Sequence, residues 1–287
     1  RDFPRMKILL IGGNSALGQV LHPVLARFAD VVVAGRSDCD VDLDLTWPPE
    51  RFKLPKAVDT AINLAAHFGG GEVASMLAAE EVNALGTLKL AQACHHAKIR
   101  HLVQISSIYA GLSEASSFYS SYAVSKRHGE ELAQLYCRSV SLPLTVLRPA
   151  QFYGEGESFR RHQPFLYALL DKAQGGDEIV LHGRNDAIRN YIHVSDVAEV
   201  IARVAQQRIE GRYNCAALSN VRISEIAAAA VSVFDSSSAI RFDPDSANIP
   251  DNAVAADDTL YRLIGYFPRI SLARGLAGEA ERRKASP

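Results

Sequence analysis

Short apolar runs alternate with stretches of helical period along the first half of the chain. The runs fall at 7–11, 31–34, 59–64, 101–105 and 144–147, while 16–28, 75–97 and 120–138 carry apolar residues at helical intervals. Continuous apolar strands separated by helices mark a parallel sheet covered on both faces, because each crossover lays a helix against the sheet. The pattern therefore predicts an α/β chain with a doubly wound parallel sheet. Right-handed crossovers bring the functional turns to the strands' carboxyl ends, where Gly12, Ser106 and Pro149 fall. After Gly154 the chain becomes richer in Arg, Asp and Ser, with helices expected at 163–173, 195–207 and 223–234. The expected division is 1–154 and 155–287, with segments near 178–181 and 212–215 able to cross back to the sheets.

Three local patterns carry chemistry. The strand Lys7-Ile8-Leu9-Leu10-Ile11 runs into Gly12-Gly13-Asn14-Ser15-Ala16-Leu17-Gly18 and then an apolar helix pattern, Val20, Leu21, Val24 and Leu25. Strand, tight turn and helix form the dinucleotide arrangement: the turn lets backbone approach a pyrophosphate, and the helix N-terminus offers unpaired N–H groups. Second, Tyr122 and Lys126 are four residues apart on a helix pattern, which puts a phenol and an ammonium on one face. A neighbouring cation favours the phenolate, so the pair can act as an acid and base. Third, the apolar run His101–Ile105 ends in Ser106-Ser107, placing a hydroxyl at a strand end where it can bond the same substrate oxygen.

Composition narrows the partners. The chain has 287 residues, 48% hydrophobic, and its formal net charge is -1 with no basic block. Neither nucleic acid nor an anionic membrane is implied. No apolar run reaches the ~20 residues that span a bilayer, and the amino terminus lacks a signal-peptide pattern, so a cytoplasmic location is the default expectation. Cys39, Cys94, Cys137 and Cys215 share no metal-ligand spacing and read as reduced packing residues. No metal is expected.

Taken in order, these motifs resemble the extended short-chain dehydrogenase/reductase family of nucleotide-sugar epimerases, dehydratases and ketoreductases. The turn is similar to the family's Gly-x-x-Gly-x-x-Gly, with Ser15 where the middle glycine is usual. Asn63-Leu64-Ala65-Ala66-His67 resembles the fourth-strand motif, and Asn83 sits in a run similar to Asn-x-x-Gly-Thr. Leu147–Gly154 resembles the segment that borders nicotinamide and sugar, and Arg189–Ala198 the block Arg-Asp-x-x-x-Val-x-Asp-Val-Ala. The resemblance implies a Rossmann-type domain followed by a smaller α/β substrate-binding domain. It implies a Ser107, Tyr122 and Lys126 centre, with Tyr122 exchanging a proton with a sugar oxygen. Lys126 then binds the nicotinamide ribose and holds the tyrosine's pKa down.

Cofactor contacts are implied for Gly12, Asn14, Ser15, Ala16, Leu17, Gly18, Leu64, Ala65, Ala66, Asn83, Ser106 and Pro149. Ser15 is small and can itself donate to a phosphate. Asp44-Leu45 resembles the adenine-contacting pair, with Asp42 one register step away. Arg36 ends the second strand where NAD-preferring members carry an acid, so NADP is preferred over NAD. For a nucleotide-diphosphate sugar, Arg189 resembles the arginine that clamps the diphosphate, while His67 and Gln151 stand where the sugar pocket is lined. His162 is the other histidine considered as an acid or base and is read as having no such role. Ile108-Tyr109 replaces the Asp-Glu pair of dehydratases, so dehydration is not expected. A 4-keto-sugar reductase is favoured slightly over a 4-epimerase, and a non-catalytic dinucleotide sensor is the alternative of another class. A homodimer is implied, with Leu132, Leu135 and Tyr136 either an outer stripe or core.

Overall fold

The computed structural model describes residues 5–285. In chain order its elements are β1 (Met6–Ile11), α1 (Ala16–Leu25), β2 (Ala29–Gly35), β3 (Val41–Asp42), β4 (Thr60–Asn63), α2 (Val73–Ala79), α3 (Gly86–His96), β5 (His101–Ile105), α4 (Ser121–Ser139), β6 (Leu144–Pro149), β7 (Gln151–Tyr153), α5 (Glu157–His162), α6 (Pro164–Gly175), β8 (Ile179–His182), β9 (Ile188–Arg189), β10 (Tyr191–His193), α7 (Val194–Gln207), β11 (Gly211–Cys215), β12 (Val221–Arg222), α8 (Ile223–Val233), β13 (Ile240–Asp243), α9 (Thr259–Ile264) and α10 (Leu272–Ala285). A π-helical turn, Glu80–Leu85, joins α2 to α3.

Seven strands form one sheet in the order β11-β6-β5-β4-β1-β2-β3, with every neighbouring pair parallel. Strands β4 and β5 are buried at every position, which is why the sequence shows unbroken apolar runs there rather than alternation. Leu9, Ile11, Ala34, Leu90, Leu102, Cys94 and Cys137 belong to one buried cluster. Each fully buried leucine or isoleucine contributes roughly 1.5–3 kcal/mol. The order reverses beside β1, so the crevice for a ligand lies at the carboxyl ends of β1 and β4.

The chain divides into two compact units. The first runs through Pro149 and includes Ala198–Cys215 and Thr259–Tyr266; the second holds Ala150–Val197, Ala216–Asp258 and Phe267 onward. The change comes just ahead of Gly154 because Gln151–Tyr153 pair in parallel with Tyr191–His193 and belong with them. Segment 212–215 crosses back: β11 lies beside β6 with Gly211 opposite Thr145 and Cys215 opposite Pro149. Segment 178–181 does not return to the seven-stranded sheet. There β8 pairs in parallel with β13 and packs on α6 and α8, and its Ile179 and Leu181 are buried, completing the second unit's own core. Among the described residues no helix is long and apolar enough to cross a membrane.

Candidate active site

The turn after β1 is shaped for close backbone approach. Gly12 has φ +79, and a Cβ there would sit 3.2 Å from the Ala65 nitrogen. A Cβ on Gly18 would drive into the Gly13 carbonyl, so the first turn of α1 can rest on the turn only without a side chain. Ser15 is the N-cap of α1, its Oγ accepting the Gly18 N–H at 3.1 Å. The residue that departs from the family glycine thus uses an acceptor lone pair for capping, and Ala16 and Leu17 open the helix behind it. Asn14 Nδ2 donates to the carbonyls of Ser37 and Asp38 at 2.8 and 3.0 Å, tying this turn to the loop after β2. Arg36 is exposed at the start of that loop. Asp44 Oδ1 accepts from the Thr46 N–H and hydroxyl at 2.9 and 2.8 Å, and Leu45 is buried. Asp42 lies within β3 with an exposed side chain.

Beyond β4, the Leu64 N–H donates to Ile11 O and the Ala65 N–H to Asn63 Oδ1, so Leu64, Ala65 and Ala66 leave alongside the glycine turn. Asn83, in the π-helical turn, brackets the next residue: it accepts the His67 N–H at 2.9 Å and donates to the His67 carbonyl at 2.7 Å. Its amide also donates to Ser125 Oγ at 2.9 Å, and Ser125 donates to the Tyr122 carbonyl. His67 Nδ1 accepts from the Gly69 N–H at 3.0 Å, which leaves the proton of a neutral ring on Nε2. A Cβ on Gly129 would collide with the Asn83 carbonyl oxygen; glycine there lets α4 close on the π-helical turn.

Tyr122, Lys126 and Ser107 come together between α4 and the end of β5. Ser107 follows the strand, is buried, and accepts the Tyr109 N–H at 3.2 Å. Its hydroxyl lies near enough to the Tyr122 phenol to act on it. Burial pushes the half-buried phenol up to about 12, the Ser107 hydroxyl pulls it back, and Tyr109 pushes it further. Lys126, read from sequence as the group that holds this pKa down, is not among those acting on it. The ammonium turns instead to the Ile105 carbonyl, 2.6 Å away. Burial lowers Lys126 to about 8, and the negative charge of Glu130 opposes that shift. Glu130 is itself buried and accepts two bonds from Arg148, at 2.8 and 2.6 Å. Ser106 Oγ is buried without a hydrogen-bond partner, and Pro149 ends β6.

Gln151 and Arg189 lie in the second unit. Gln151 is held by Asn252, which donates to its Oε1 at 3.0 Å, and donates in turn to Gln163 at 3.1 Å. Arg189 is buried on β9, with Nη1 donating to the Ile188 and Pro250 carbonyls and its guanidinium over the Phe165 ring. Sequence reasoning missed Glu130, Ser121, Ser125 and Asn252. The four-residue step from Lys126 to Glu130 was a signal available for the first; the others depend on contacts far apart in the chain. His162 is exposed. Among the described residues no group of three or more His, Cys, Asp or Glu side chains could hold a metal.

Comparison with known proteins agrees with this layout. A dTDP-4-dehydro-6-deoxy-D-allose reductase of a Streptomyces species is 26% identical over 190 residues, 66% of this chain and 54% of the relative. The reductase of the same name from Streptomyces bikiniensis is 30% identical over 124 residues, 43% of this chain and 38% of the relative. The matched part thus spans about half or less of those relatives' lengths. Among solved structures, the UDP-N-acetylglucosamine 4-epimerase from Methanobrevibacter ruminantium M1 in complex with UDP-N-acetylmuramic acid superposes with a TM-score of 0.80. It is 19% identical and the match covers 99% of this chain and 100% of that one, a likeness of fold. The profile of the NAD dependent epimerase/dehydratase family matches residues 8–216, the greater part of the chain and every element of the Ser107, Tyr122 and Lys126 cluster, and the protein belongs to that family.

Proposed function

We propose that the chain is an NAD(P)-dependent reductase of a nucleotide-linked 4-keto sugar, working through Ser107, Tyr122 and Lys126. One observation carries this reading: the Tyr122 phenol lies near enough to the Ser107 hydroxyl at the strand end to feel it, and burial raises its pKa so that it stays protonated. A protonated phenol is the form that reduction of a ketone requires, because the carbonyl oxygen must gain a proton as its carbon gains a hydride. Ser107 positions that oxygen and Tyr122 gives up the proton. Lys126, one helical turn on, is the cation that favours the resulting phenolate once its ammonium swings from the Ile105 carbonyl.

A nicotinamide dinucleotide supplies or takes the hydride when bound. The residues fit such a group: the glycines at 12 and 18 let the turn pack on Ala65 and α1 without side chains, which keeps its backbone free to approach a phosphate, and the buried Ser106 hydroxyl is left with bonding capacity. Gly12, Asn14, Ser15, Ala16, Leu17 and Gly18 are the residues to hold the pyrophosphate, and Asp44 and Leu45 the adenine. Leu64, Ala65, Ala66, Asn83, Ser106 and Pro149 border the rest. Exposed Arg36 favours NADP by pairing with a 2′-phosphate. The sugar nucleotide falls to His67, in the first unit with the cofactor residues, and to Gln151 and Arg189 of the second. The names of the two curated relatives support a keto-sugar reductase. A 4-epimerase with no net redox change is the second reading, favoured by the fact that the same three side chains suffice for it.

A homodimer through α2 and α4 is part of the proposal, supported by the exposed Val73, Met76, Leu77 and Leu135; Tyr136 instead packs against the core cluster. A cytoplasmic location is likewise proposed. The test is a fluorescence titration with NADPH and NADH, followed by assay of a panel of nucleotide-linked 4-keto sugars with wild type and Tyr122→Phe. Consumption of NADPH that falls roughly 10²- to 10⁴-fold in the variant supports the reductase. Turnover without net change in nicotinamide absorbance moves the assignment to the epimerase. Tight dinucleotide binding with no turnover in either protein refutes both and leaves a sensor.

A further inference from the structure

We propose that Phe68 is a positioning residue for Tyr122, its pinned ring holding the phenol in one orientation toward Ser107. The inference deepens the proposed activity and rests on it. Phe68 is 60% exposed, so packing on most sides does not fix its ring. Its ring stacks on that of Tyr122, with centroids 5.4 Å apart and planes inclined by 28°.

The loop that carries the ring is fastened on both sides. Before Phe68, the His67 backbone is bracketed by the Asn83 amide through both its N–H and its carbonyl. After it, the Gly69 N–H donates to His67 Nδ1, and Gly70 exchanges two bonds with the Ser121 hydroxyl, at 3.1 and 2.9 Å. Gly69 has φ +70, and a Cβ there would strike Ser121 Oγ. Ser121 directly precedes Tyr122, so the loop is tied to the backbone of the residue whose ring it covers. A phenol that turns freely would spend part of its time away from Ser107. Offset stacking of two rings at this separation is attractive beyond the burial it provides, and reaction rates respond steeply to the orientation of the reacting group.

The experiment compares full-length wild type with Phe68→Ala, Phe68→Leu and Phe68→Tyr. First, NMR of the protein labelled with ¹³C at the tyrosine ring is recorded without cofactor, with Tyr122→Phe identifying the Tyr122 signal. The proposal expects this signal to shift in the Ala and Leu variants, as the ring current is lost, and to stay near the wild-type position in the Tyr variant. Second, in turnover, kcat is expected to fall roughly 2- to 12-fold in the Ala and Leu variants, the range one aromatic pair supports, with KM unchanged and the Tyr variant restored. Should the Ala variant fail to fold, the Leu variant carries the same comparison, since it keeps bulk and lacks the ring. An unmoved Tyr122 signal in the Leu variant overturns the proposal, and so does a raised KM with unchanged kcat, which would make Phe68 a substrate contact. Because the NMR reading needs no turnover, inactivity of every protein including wild type counts against the proposed reaction and not against the stacking.

Discussion

Replacing Lys126 with methionine is expected to abolish turnover and at the same time to make the protein more stable. The side chain is 3% exposed, and burial lowers its pKa from 10.5 to about 8. One pKa unit corresponds to about 1.36 kcal/mol, so keeping this lysine charged in the folded state costs about 3 kcal/mol near neutral pH. Methionine retains most of the apolar stem and removes the charge. It also strips the Ile105 carbonyl of the N–H that now reaches it at 2.6 Å, which returns about 1 kcal/mol. The net expectation is a gain of about 2 kcal/mol near pH 7. The pH course follows from the direction of the shift. Below the folded pKa of about 8 both states hold the proton and the penalty is complete; from there to 10.5 the unfolded chain holds more protons than the folded one, so wild type gains stability. The variant's advantage should therefore shrink across that window and turn into a deficit of about 1 kcal/mol above it, where only the lost bond remains. Urea denaturation of both proteins without cofactor, at several pH values across the window, measures the difference directly. Subtraction removes the buried tyrosines and cysteines that titrate in both. A variant that is less stable than wild type by a constant amount at every pH would refute the reasoning.

Gly129→Ala forces a methyl group onto the Asn83 carbonyl oxygen and should cost about 1–3 kcal/mol, read as a lowered melting temperature; an unchanged temperature would mean that α4 shifts without strain. Ser15→Ala removes the cap of α1 and should cost about 1 kcal/mol in chemical denaturation, whereas Ser15→Gly should cost only a few tenths. Arg36→Ala should weaken NADPH binding roughly tenfold or more while leaving NADH nearly unchanged in fluorescence titration; equal loss for both would remove the basis for an NADP preference.

The sheet was legible because its strands are short, continuous and apolar, and each observed strand from β1 through β6, the two-residue β3 aside, begins and ends within two residues of the run that predicts it. The helix expected over 75–97 is the exception. Its period hides the π-helical turn, because the extra residue that turns Asn83 toward His67 leaves no mark on an apolar pattern. The pairing of β8 with β13 was illegible for another reason: a parallel partner some sixty residues away is chosen by which core needs covering, and local sequence does not record it. In the candidate site, spacing along one helix put Tyr122 and Lys126 on one face, and a strand end put Ser107 near them. The direction in which the ammonium points was beyond reach, since it is set by the carbonyl that β5 presents across the helix.

The return of the chain to the sheet also bears on Lys126. Lys126 sits one helical turn from Glu130, and Glu130 is clamped by Arg148 on β6 and approached at 3.7 Å by Arg212 on β11. Two arginines meet Glu130, and the second of them arrives because residues 211–215 cross back to pair with β6. The seventh strand therefore does more than extend the sheet: it brings a second arginine to Glu130, the carboxylate that opposes the lowering of Lys126 by burial. The far edge of the sheet is thus linked to Lys126 through one carboxylate.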